Sequence, residues 1–232
     1  MNLFTTTPHD TSVEANAQQF LMRKFLMGKA FITLAIVTYV SEDGGFVSVK
    51  PMVEGFTGAG DLIPNADIHG VPVWRLQRGG SAVIMPPVVG DIGLIAICDR
   101  DISAIKKTKK AALPGSNRIH SYTDSIYLGG VLNADPSQYV KFSDSGIDVV
   151  SPMDVNVNGR NVAINASAKA SVNSPVIELN GAVTQGKGSN GGNAVFGGSV
   201  TATGEVTGAG IKLSTHTHGG VESGNSNTKG PQ

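Results

Sequence analysis

The chain has 232 residues, enough for one large domain or two small ones, and its 18 Lys and Arg balance 18 Asp and Glu to a formal net charge of zero. That balance argues against general nucleic-acid binding, and 16% charged with 40% apolar residues excludes a charge-rich disordered chain. The single cysteine, Cys98, excludes an intramolecular disulfide framework and a Cys-based zinc site within one chain.

Residues 1–20 lack the positively charged start and apolar run of a signal peptide. Ser12 is placed to cap a helix whose approximate apolar stripe is Val13, Ala17, Phe20, Leu21 and Met27, with Gly28 as its stop. The apolar run at 30–40 is about half of the ~20 residues a membrane helix needs, and it carries Thr33 and Thr38, so it reads as a buried strand. Strands are predicted at 30–40, 46–53, 71–76, 82–85 and 92–98, broken by Asp43-Gly44-Gly45, Gly79-Gly80 and Pro86-Pro87. Five strands at this spacing, with a short helical stretch at 101–107, fit a small barrel of the OB type. Lys106, Lys107, Lys109 and Lys110 form a basic cluster, but it follows Asp99 and Asp101 and has no stacking aromatics around it. It reads as a solvated helix end, and no nucleic-acid partner is expected.

The composition changes near residue 150. Twelve of the 13 aromatic residues precede residue 151, leaving Phe196 alone in the last 82 residues, which hold 15 of the 30 glycines. A segment so poor in large side chains cannot build a globular core alone. It is either disordered or shares a core with other chains, and its periodicity favours the second. Val162, Ile164, Ala166, Ala168, Ala170 and Val172 alternate with Asn165, Ser167, Lys169 and Ser171 in the manner of a strand. Short alternating pieces recur at 176–179, 194–196, 200–202 and 211–213, separated by glycines. The fold expected is mainly β, an N-terminal OB-fold barrel followed by an intertwined trimeric β-helix, in which each chain contributes one wall.

Of the five histidines, His9, His69 and His120 are scattered among polar or turn residues and read as structural or surface groups. His216 and His218 are different. At i and i+2 of an extended segment, two imidazoles point to one side with Cα atoms ~6.6 Å apart. One chain then offers only two ligands, a poor metal site, but three chains on a three-fold axis offer six. Six imidazoles suit an octahedral first-row metal such as Fe(II), whereas zinc usually takes four ligands. The expectation is one octahedral first-row metal shared by three chains, in a closed and structural site. The competing reading is an incidental exposed pair.

The tail His216-Thr217-His218-Gly219-Gly220-Val221, then Gly224-Asn225 and Pro231, resembles the apex of the central spike proteins of contractile-tailed bacteriophages. The stretch Val89-Gly90-Asp91-Ile92-Gly93-Leu94-Ile95, with Cys98-Asp99-Arg100-Asp101-Ile102, resembles the OB domain of the lysozyme-free, membrane-piercing members. The resemblance implies a homotrimer with an iron-bearing tip that holds a His-x-His from each chain. It implies a non-enzymatic spike in the tail baseplate of the virion, meeting hub and tail-tube proteins at its N-terminal end and the host outer membrane at its point. The layout expected is a helical segment at 1–28, an OB domain at 29–112, a connection at 113–145, a β-helix at 146–213 and a metal-binding apex at 214–232. A secretion-system spike shares this physics, a receptor-binding fibre would carry recognition loops at its tip, and a metalloenzyme would need a further ligand or base near His216.

Overall fold

The computed structural model describes residues 8–57, 59–186, 189, 191–218, 220 and 224. The chain is mainly β and separates into two compact units, Met1–Val157 and Asn158–Gln232.

The first unit begins with a 3-10 turn, Pro8–Thr11, and helix α1, Glu14–Met27. Gly28 ends the helix, its N–H bonding the Phe25 carbonyl at 3.2 Å. Ser12 does not cap it: the Ser12 hydroxyl donates back to the His9 carbonyl at 2.9 Å, and Val13 occupies the cap position in extended conformation. No helix among the described residues is long and apolar enough to cross a membrane. The strands follow in the order β1 Ile32–Val40, β2 Phe46–Pro51, β3 Gly55–Phe56, β4 Leu62–Ile63, β5 Ile68–Pro72, β6 Leu76–Arg78, β7 Ser81–Val83 and β8 Ile92–Ile97. After helix α2, Ser103–Thr108, and a 3-10 turn at Tyr122–Asp124 comes β9, Ser125–Gly130.

One antiparallel sheet, ordered β5-β2-β1-β8-β9, organises this unit. Its register slips at Val37/Tyr39, Val47/Val49 and Leu94/Ile95, and such bulges bend and twist a sheet. The sheet curls until its two edges meet: Val73, just past β5, bridges Tyr127 of β9 in parallel, and Trp74 N–H bonds the Tyr127 carbonyl at 2.8 Å. Alternate residues point into the curl, which puts Ala35, Val37, Val47, Val49, Ile95 and Ile97 in a common core with Ile68, Val71 and Tyr127.

The Gly90-Asp91-Ile92-Gly93 stretch has a physical basis here. Gly90 takes a left-handed φ of 98°, and Asp91 turns its carboxylate onto the Val88 N–H at 2.9 Å. A side chain at Gly93 would collide with the Tyr127 ring, so glycine is what lets the largest core residue lie across β8.

Two strand predictions need correction. The run at 82–85 is not a wall of the sheet; β6 and β7 form a separate hairpin, and Val83, Ile84 and Met85 are exposed. The fifth wall is β9, which lies inside the stretch expected to be a connection. Its polar lead-in and terminal Gly129-Gly130 disguised it, because only Ser125 and Tyr127 are buried along it. Residues 98–124 between β8 and β9 are pinned by buried charge. Arg118 reaches Asp101 at 2.9 Å and Asp124 at 3.1 Å, while Asp101 also accepts from Ser103 N–H and the Ser116 hydroxyl. These hydrogen bonds, with Arg118 alongside, hold the Asp101 carboxyl down to about 2. A two-stranded hairpin, β10 Tyr139–Ser143 with β11 Gly146–Val150, completes the strands of this unit. Phe142 and Val149 on it are exposed.

In the second unit the described residues of 158–206 form no strand within the chain. Val162, Ile164 and Val172 of the alternating stripe are 60%, 82% and 73% exposed. The pieces predicted at 176–179, 194–196 and 200–202 have no hydrogen-bonded neighbour strand in their own chain, whereas 211–213 does. It supplies β13, Ile211–Lys212, paired with β12, Thr207–Gly208.

Candidate metal site at the C-terminal hairpin

The site is built from the β12–β13 hairpin outward. Ala209 and Gly210 turn the chain with φ of 49° and 83°, the doubly left-handed form whose twist matches two antiparallel strands. Gly208 then pairs with Ile211 and Thr207 with Lys212, and Leu213 N–H bonds the Val206 carbonyl at 2.9 Å. Beyond the last backbone rung, the Glu205 carboxylate accepts Ser214 N–H at 3.2 Å and the Ser214 hydroxyl. Those bonds hold the Glu205 carboxyl below its ordinary range.

His216 and His218 follow at once, both exposed, with ring centroids 5.0 Å apart and planes at 75°. The Nδ1 of His216 lies 2.9 Å from the Leu213 carbonyl. A carbonyl only accepts, so a hydrogen bond here has Nδ1 as the donor, and a neutral ring making it has its lone pair on Nε2. That is the arrangement of a ligating histidine with its second nitrogen tied to a backbone carbonyl. Among the described residues no group of three or more His, Cys, Asp or Glu is gathered to hold a metal. The donor set that one chain offers an ion is therefore the two close imidazoles of His216 and His218. Gly219, Val221, Asn225 and Pro231 of the tail motif lie outside the described residues, as does all of 221–232 except Gly224.

The other histidines are not brought together. His69 bonds the Ser48 hydroxyl at 2.9 Å, and the His9 carbonyl accepts from Ser12. His120 is half-buried. It has a left-handed φ of 49°, stacks on Phe31 at 4.6 Å between centroids, and buries an Nδ1 with no hydrogen-bond partner. The lysine cluster disperses at the end of α2: Lys106 reaches the Gly70 and Thr123 carbonyls, and Lys109 lies over the Phe46 ring. Sequence reasoning missed Glu205 and Ser214. A register count outward from Ala209-Gly210, pairing 208 with 211, places 205 opposite 214 and would have found them.

Comparison with known families bears on both ends of this chain. Residues 35–130 match the phage protein Gp138 N-terminal domain, and residues 210–232 match the GpV Apex motif. Together the two matches support a phage baseplate and spike protein of the gpV-like kind. The first match covers the curled sheet from Ala35 to the end of β9, and the second covers β13, His216 and His218. Both are domains of phage structural proteins, and they support a structural tail-spike protein located at the virion tail or baseplate and associated with other tail components. A comparison with curated proteins finds no match.

Proposed function

We propose that three copies of this chain form the membrane-piercing spike of a contractile phage tail, driven through the host envelope when the sheath contracts. The observation that carries this reading is the apex match over His216 and His218 at the opposite end of the chain from a curled five-stranded sheet. The strand order, with β1 at the centre and edges joined by the parallel Val73–Tyr127 bridge, supports an OB-type barrel running from β1 to β9. The barrel end would meet the hub and tail-tube proteins. The exposed stripe through Val162, Ile164 and Val172 supports a β-helix whose core is shared among three chains.

The physics suits a structural role. Strands wound about one axis resist bending through a continuous hydrogen-bond network. His216 and His218 from three chains would hold one iron by six imidazole nitrogens, which ties together chain ends that otherwise fray. A filled coordination sphere leaves no position for substrate, so no catalytic activity is expected. Native mass measurement with elemental analysis on tag-free protein tests the reading. Three chains with one iron is the expected result; a folded monomer, or one metal per chain, would overturn it.

A further inference from the structure

The β12–β13 hairpin ends on a side-chain clamp that stands between the strands and the histidines. Backbone rungs join Gly208 to Ile211, Thr207 to Lys212 and Val206 to Leu213. At the next position the ladder gives way to a carboxylate: Glu205 Oε1 accepts Ser214 N–H at 3.2 Å, and Oε2 accepts the Ser214 hydroxyl. Two donors of one residue on two oxygens of a charged acceptor fix both position and orientation. With Ser214 held, the turn through Thr215 returns the His216 ring to the Leu213 carbonyl, one residue before the clamp, at 2.9 Å. A His-x-His on a free chain end has no such constraint, and its neutral rings exchange between two tautomers.

We propose that Glu205 and Ser214 are positioning residues for His216. By fixing the first turn after the hairpin they aim the Leu213 carbonyl at Nδ1 and leave Nε2 as the metal-binding nitrogen. The inference rests on the reading of His216 and His218 as metal ligands, and it adds the residues that preset one of them. Ser214 lies within the matched region and Glu205 just before it, and both Glu205 oxygens face Ser214 rather than the imidazoles.

The test uses the full chain with isotope-labelled histidine, stripped of metal and titrated with ferrous iron alone. Glu205→Ala and Ser214→Ala should each weaken iron binding about 10- to 100-fold, the range for loss of an outer-shell partner. In metal-free protein the same variants should shift His216 from the Nδ1–H tautomer, read from its ring nitrogen resonances, to a mixture. Glu205→Gln keeps an acceptor for Ser214 and should recover most of both properties. Weakened binding with the tautomer unchanged would reduce the clamp to a general structural role and overturn the proposal. So would unchanged affinity in both Ala variants, with iron still lost in His216→Ala, a result that leaves the metal reading standing. Iron binding to the His216→Ala/His218→Ala variant as tight as to the parent would overturn the metal reading and, with it, the role of the clamp.

Discussion

The two units treat their apolar residues in opposite ways. In the curled sheet, alternation turns Val37, Val47, Val49 and Ile95 into a core that the chain closes on itself, each about fully buried. In the second unit the same period-two alternation leaves Val162, Ile164 and Val172 mostly exposed. The difference is one of size as much as pattern. Large residues such as Tyr127 and Ile95 fill the curl of the sheet from within one chain, whereas Val162, Ile164 and Val172 find no cover among the described residues of their own chain. Alternation thus marks a strand's inner face without saying whose core that face belongs to.

The sharpest way to break the comparison is to damage one unit and watch the other. Gly93→Ala puts a methyl into the Tyr127 ring and should destabilise the sheet by about 3 kcal/mol, near the upper end for overpacking. The thermal transition of the first unit should fall, while the assembly proposed for the stripe should persist; a variant with an unchanged transition would mean that Tyr127 has another place to go. Ala168→Leu is the reciprocal experiment. On a shared axis an added branched side chain overpacks three-fold, so assembly measured by light scattering should suffer far more than in Lys169→Leu. Equal effects at the two positions would show that the inner face of the stripe is misassigned.

A smaller effect, confined to the first unit, comes from acid. Asp101 has a folded pKa of about 2 against an ordinary 3.8, so the unfolded chain takes up the proton first as pH falls. The stability that this carboxylate contributes is complete above 3.8 and disappears as pH drops toward 2. Asp101→Asn should flatten the pH dependence of unfolding in that window, while loss of the stripe's assembly keeps its own profile. A wild-type curve that is flat from 3.8 to 2 would contradict the hydrogen bonds drawn to Asp101.

What was legible in the sequence follows from what local pattern encodes. β1, β2 and β8 were visible because they are rich in Val, Ile and Leu and their ends carry Asp43-Gly44-Gly45 and Gly90-Asp91. β9 was not, because its place in the wall is set by two residues, Ser125 and Tyr127, and by the space that Gly93 leaves on another strand. No window of the sequence contains both halves of that contact. The Asp101–Arg118–Asp124 cluster was hidden for the same reason: the charges read as solvated until the chain folds them together. At the site, the spacing of His216 and His218 was readable directly. Glu205 was not, because nine residues and a tight turn separate it from Ser214, and only the register of the hairpin brings them face to face.

The smallest expected effect on assembly is at the tip. His216→Ala/His218→Ala removes the imidazoles that would bind the ion but touches neither the buried core of the sheet nor the stripe, so trimers should form with nearly unchanged thermal stability. What should change is local. Without the ion, the exposed segment around His216 and His218 should open on a time scale that proteases detect. Limited proteolysis should therefore cut the variant near residue 214 while leaving the remainder assembled, and stripping iron from the parent should reproduce that cut. Acidification should do the same by a different route, because neutral imidazole is the ligand form and protons compete with the metal. If the variant and the stripped parent resist protease as well as the iron-loaded parent, the ion is not what closes the tip, and the hairpin with its Glu205–Ser214 clamp is sufficient by itself.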